Sequence, residues 1–311
     1  MKLAALSSLL LLATLLARPA APAPIASQLT ESDRPLPDIP TLMHEVEEHQ
    51  KAAEAIQKDY LYHEVAQEQR SNGTKSQTEE FDVFWLNGVQ VHKLTRKDGK
   101  DLTADEQRKE SERIDKQVAK ATDRKKKAEE KGQPTDSRGN DEVTVSRFLM
   151  LGAFTNPRRV QLKGRDTIVI DYAGDPKAKT RNRMEDVIRD LSGTIWVDEQ
   201  DRTITRLEGH FAKAYKVGAG IVMSIKEGTS FSMEQMKIND EVWLPSHIEG
   251  HGAARVMLFV SFTGSIQINN SDYRKFKATS TILPGVATVK DSSSGDTQDA
   301  PREPEKAPPP P

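Results

Sequence analysis

Two stretches of this sequence carry histidine and carboxylate side chains at spacings that could bind a divalent metal. His44-Glu45-Val46-Glu47-Glu48-His49 has the composition of a zinc-protease helix, but its histidines are five apart where the motif needs four, and Glu48 fills the required place. It reads as a polar helix face. His247, Glu249 and His251 alternate, so a strand would project all three from one face, as a metal site wants. Gly250 and Gly252, and the lack of a further nearby ligand, favour a solvated strand end, and no metal is expected. Gly218-Ala219-Gly220 lacks the third glycine of a nucleotide loop and reads as a hairpin tip. No serine sits in a nucleophile elbow, no Asp or Glu pair stands out as acid and base, and there is no cysteine. The expectation is a protein that is not an enzyme and holds no cofactor.

Composition narrows the partners. Of 311 residues 36% are apolar, too few for the whole chain to be packed core. Lys and Arg number 45 against 47 Asp and Glu, a formal charge of −2 that gives no global field for nucleic acid. Arg124-Lys125-Lys126-Lys127 could touch phosphates, but Asp123, Glu129 and Glu130 flank it and no aromatic interleaves it, so it reads as a solvated face. Residues 1–26 have the layout of a secretory signal peptide: Met1-Lys2, an apolar run from Leu3 to Ala17, Arg18-Pro19, then small residues from Ala20 to Ala26. That run falls short of the ~20 residues of a spanning helix. Cleavage after Ala23 or Ala26 is expected, with a periplasmic or secreted product and no integral membrane segment in the mature chain.

The elements that must position any site follow from periodicity. Residues 27–40, with Pro35, Pro37 and Pro40, form a flexible lead-in. Thr41 can cap a helix to about Lys58 that presents Leu42, Val46, His49, Ala53 and Ile56 on one face. Tyr60 to Gln69 alternates as a strand, and Phe81, Val83 and Trp85 lead through Asn87-Gly88 to Val89 and Val91, a hairpin. Leu102 to Lys131 is charged, with a thin stripe of Ile114, Val118 and Ala121, and reads as a largely solvated helix inserted at about 102–140. A short apolar segment at Phe148 to Phe154 could be helical. Strand-like runs then recur from Gln161 to Ile268, interrupted at 174–189 by a polar crossover expected over an edge or mouth. From Gly285 to Pro311 the chain is Ser-, Asp- and Pro-rich, an extended or disordered tail. Many short strands without βαβ alternation argue an α+β fold: a large curved antiparallel sheet, or incomplete β-barrel, with helices over its concave face.

Four motifs in order carry a resemblance: Leu191-Ser192-Gly193-Thr194-Ile195-Trp196-Val197-Asp198, Thr203-Ile204-Thr205-Arg206-Leu207-Glu208, Val242-Trp243-Leu244-Pro245-Ser246 and Ser271-Asp272-Tyr273-Arg274-Lys275-Phe276. Over roughly residues 160–276 the sequence resembles the exported LolA/LolB-like outer-membrane lipoprotein-sorting family. The resemblance implies one β-rich domain over 41–284 with an apolar pocket for acyl chains, and a lipid or lipidated protein as partner. The charged helix and the polar tail depart from the compact carrier. Arg255 to Phe262 places Val256, Leu258, Val260 and Phe262 on one strand face and Met257 and Phe259 on the other. The cavity candidates are Trp85, Trp196, Met223, Phe231, Met233, Trp243, Leu258, Val260 and Phe262. The rival reading is a cell-envelope interaction or scaffold protein that uses the same fold with a filled core and recruits an envelope protein through the charged helix and tail.

Overall fold

The structure, a computed structural model, describes residues 34–70, 76–133, 135–136, 139–140, 142–217, 223–256 and 260–276; at 217, 223, 254–256 and 260–262 it describes the backbone. The expected signal peptide, the Gly218-Ala219-Gly220 tip, Leu258 and the Pro-rich tail lie outside these residues.

Among the described residues, thirteen strands form one sheet in which every pairing is antiparallel. They are β1 Tyr60–Arg70, β2 Gln77–Leu86, β3 Val89–Lys97, β4 Lys100–Asp101, β5 Gly152–Leu162, β6 Arg165–Gly174, β7 Ser192–Asp198, β8 Thr203–Phe211, β9 Tyr215–Val217, β10 Met223–Ile225, β11 Thr229–Ile238, β12 Val242–Val256 and β13 Val260–Lys275. The order β4-β3-β2-β1-β13-β12-β11-β8-β7-β6-β5 has two ends that do not pair with each other among the described residues, with β9 and β10 attached beside β12. Asn87 and Gly88 both have positive φ, the backbone that a two-residue hairpin needs. Among the described residues there are four helices: α1 Ile39–Gln57, α2 Ala104–Glu129, α3 Val145–Phe148 and α4 Arg183–Arg189. The expected fold class, an open antiparallel sheet with helices on it, is therefore found.

The helices differ from expectation in instructive ways. Asp38, not Thr41, caps α1: its Oδ2 accepts from the Thr41 amide at 3.0 Å and the Thr41 hydroxyl at 2.7 Å, and Pro40 sits in the first turn, where it loses no hydrogen bond. Leu42, Met43 and Val46 of α1 are buried on the sheet. The charged helix α2 keeps most of its residues exposed, and its stripe of Ile114, Val118 and Ala121 packs on Val89 and Val91 of β3. The crossover at 174–189 contains α4, whose Val187 and Ile188 join the main core. The apolar segment at 148–154 splits: Phe148 ends α3, and Gly152 opens β5, a long strand that runs past Pro157. Proline is tolerated there because β5 is an edge strand and the register slips between Thr155 and Arg158, around Asn156 in left-handed backbone.

Candidate functional site

The alternation of the central strands sorts the sheet into two unlike faces. On one, Ile195, Leu207, Phe211, Phe231 and Ile248 belong to the main core together with Leu42 and Val46 of α1 and Leu151. Tyr172 of β6 stacks there with Phe148 of α3, ring centroids 4.7 Å apart. One cross-strand row of this face is Gly193, Gly209, Phe231 and Gly250. Three glycines leave that row without side chains, and the Phe231 ring lies over Gly209, where a Cβ would run into it. The core here is closed by the protein's own residues.

The register carries the same alternation to the β9–β10 end. Its backbone pairings align Tyr215, Ile225, Ala254 and Phe262 in one row and Val217, Met223, Val256 and Val260 in another, with Lys216, Ser224, Arg255 and Ser261 between them. Apolar rows thus alternate with a polar one across four strands. Tyr215 and Ile225, whose side chains are described, are both buried in the main core.

The opposite face is polar. Thr194, Glu208, His210, Ser230, Ser232, Glu249 and His251, together with Gly193, Gly209 and Phe231, line a groove of about 330 Å³. Serines on β11 form its floor, between Glu208 and His210 on β8 and Glu249 and His251 on β12. Burial alone pushes the His251 imidazole down to about 4, so its ring is neutral near pH 7. Its Nε2 lies 3.4 Å from Glu249 Oε1, and its buried Nδ1 has no partner among the described residues. His247 instead approaches Asn269 Oδ1 through Nδ1 at 2.8 Å. The alternating His-Glu-His set is therefore split, and among the described residues no group of three His, Asp or Glu side chains is placed to hold a metal.

The structure separates most of the nine cavity candidates. Phe231 and Met233 share the core face of β11, where the register sets Met233 opposite Leu207 and Ile248. Trp196 alternates with Ile195 and Val197; the Arg206 guanidinium lies 5.3 Å from its ring centre. Trp243 donates from Nε1 to Asp201 Oδ2 at 2.8 Å, with Arg165 5.7 Å from its ring. Trp85 lies under the Lys58 ammonium at 5.5 Å. Each tryptophan thus has a cation on its ring, a stabilising use of an aromatic wall. Met223, Val260 and Phe262 come together through the register of β10, β12 and β13.

Charged residues that the sequence did not single out tie the helices down. Arg147 of α3 forms a two-pronged pair with Glu185 of α4 at 2.9 and 2.7 Å, and Glu185 also accepts from the Arg181 amide at 2.7 Å. The Arg147 hydrogen bonds hold the Glu185 carboxyl below its ordinary value, against the opposing effect of burial. On β1 and β2, Glu64, Glu68 and Glu79 are buried. Glu64 meets His92 Nδ1 at 3.1 Å, Glu68 accepts from Arg70 at 3.1 Å, and Glu79 accepts from Gln77 at 3.0 Å. Burial raises the Glu79 carboxyl, and its second oxygen has no partner among the described residues.

No protein-family model matches the chain, and no curated protein matches it. Solved structures do. A domain from Vibrio parahaemolyticus described as outer membrane lipoprotein-sorting aligns at 10% identity and a TM-score of 0.37, over 78% of this chain and 95% of its own. A DUF1329 family protein from Desulfovibrio piger aligns at 10% identity and a TM-score of 0.35, over 77% and 94%. A LolA superfamily protein from Nitrosomonas europaea aligns at 11% identity and a TM-score of 0.30, over 76% and 93%.

Proposed function

We propose that this chain is exported to the cell envelope and there holds an acyl chain, or the lipid anchor of a lipidated protein, against the apolar face of its sheet, at the end formed by β9, β10, β12 and β13. No bond is made or broken; loading and release follow a difference in affinity between conformations. The observation that carries this reading is the apolar cross-strand row Val217-Met223-Val256-Val260, set apart by a polar row from the row of Tyr215, Ile225, Ala254 and Phe262, in which the protein's own core already covers Tyr215 and Ile225. Methionine in such a row suits guests of variable shape. The signal-peptide layout of residues 1–26 supports export, and among the described residues no helix is long and apolar enough to cross a membrane.

The filled core beneath α1 favours a second reading, an envelope interaction protein without a guest. Mass spectrometry of organic extracts from the purified chain separates the two. Lipid that accompanies the parent and the Ser261→Asp variant, and is lost from a Val260→Asp, Phe262→Asp variant, supports the carrier. A lipid-free parent, or retention of lipid by the double variant, supports the interaction protein.

A further inference from the structure

The β3 edge of the sheet is sealed by side chains where a strand would otherwise pair. Glu110 Oε1 accepts from the Leu94 amide at 2.8 Å. Arg113 donates to the His92 carbonyl at 2.6 Å, Gln117 to the Gln90 carbonyl at 3.5 Å and Lys125 to the Gly88 carbonyl at 2.7 Å. α2 thus lies along β3 and occupies the backbone groups that turn away from β2. A strand edge left bare is a template for pairing with another chain.

α2 is also built to survive without this contact. Thr103 and Glu106 form a complete capping box, and Asp105 pairs with Lys109, and Asp123 with Lys127, one turn along. Its apolar stripe is short, and most of its other residues are exposed. We infer that α2 is a removable guard, and that when it lifts, β3 pairs antiparallel with β3 of a second copy of this chain. With His92 on the two-fold axis, Gln90 faces Leu94, Val91 faces Lys93 and Val89 faces Thr95. No like charges stand opposite each other, and Val89 and Val91, bared by the loss of α2, each gain a cross-strand neighbour. A proline-rich strand such as 307–311 lacks the donors for this ladder.

The test is the mass of the full chain in solution by size exclusion with light scattering. Arg113→Ala, Gln117→Ala and Lys125→Ala together remove three of the backbone bonds and leave the apolar stripe. The expected result is a doubling of mass over the parent, reversed by adding Gln90→Pro, which deletes a donor on the edge that faces α2. A folded triple variant of unchanged mass, or a dimer that persists with Gln90→Pro, overturns the inference. Should the triple variant fail to fold, hydrogen exchange on the parent decides: the Leu94 amide is expected to exchange at least about tenfold faster than amides of the β1–β2 ladder, through lifting of α2 alone. Equal rates overturn it.

Discussion

Two places on one face of the sheet solve the problem of apolar surface in opposite ways. At the centre, Gly193, Gly209 and Gly250 leave a row without side chains, and the Phe231 ring of the same row lies over Gly209. At the β9–β10 end the backbone register aligns Met223, Val256, Val260 and Phe262 in the rows where we propose that an acyl chain is held. The difference teaches that an apolar sheet face is not in itself a binding site. It becomes one only where the protein does not supply its own plug.

The largest effect in breaking this comparison comes from the helical cover of the centre. Arg147→Met leaves Glu185, only 3% exposed, without its cation, and loss of one partner of a buried pair costs about 3–5 kcal/mol. Urea unfolding measures it. Because the Glu185 carboxyl is held below its ordinary value in the folded state, the stability it brings is present above its unfolded pKa and is lost as pH falls through the folded one. The parent should therefore lose more stability on acidification than Arg147→Met does. Next, Phe231→Ala removes the plug from the glycine row. The ring is half-buried, so about 2–3 kcal/mol of destabilisation is expected, less than for a fully buried ring. Its more telling readout is a second acyl-probe site at the centre, seen as a raised binding stoichiometry.

Gly209→Ala sharpens the comparison from the other side, since the new methyl group meets the same ring. Crowding there should cost about 1–2 kcal/mol by thermal unfolding, and Phe231→Ala in the same chain should relieve it. The smallest change is Ser232→Ala on the floor of the polar groove, expected to stay within about 0.5 kcal/mol of the parent.

Much of the fold was legible because periodicity and turn chemistry are local. Asn87-Gly88 marked its hairpin, and Ile114, Val118 and Ala121 marked the buried stripe of α2. The docking of α2 was not legible, because Glu110, Arg113, Gln117 and Lys125 look like solvated helix residues until their targets on the β3 backbone are known. The buried acids were hidden for a related reason: Glu64 and Glu68 sit in phase with Tyr60, Tyr62 and Ala66 on β1, and only the packed partners show that this phase faces inward. The candidate site was half legible. Residue type pointed to the three tryptophans, which the structure disperses among Lys58, Arg165 and Arg206. Pairing across β10, β12 and β13, which no single segment encodes, groups Met223, Val260 and Phe262.

Titration of the purified chain with a fluorescent palmitate analogue tests the central claim most directly, with Val260→Asp, Phe262→Asp on one face and Glu208→Ala, Glu249→Ala on the other. The account predicts saturable binding of one probe per chain, abolished by the first pair and unchanged by the second. Absence of saturable binding to the parent, or its loss only with the polar-face pair, would contradict it.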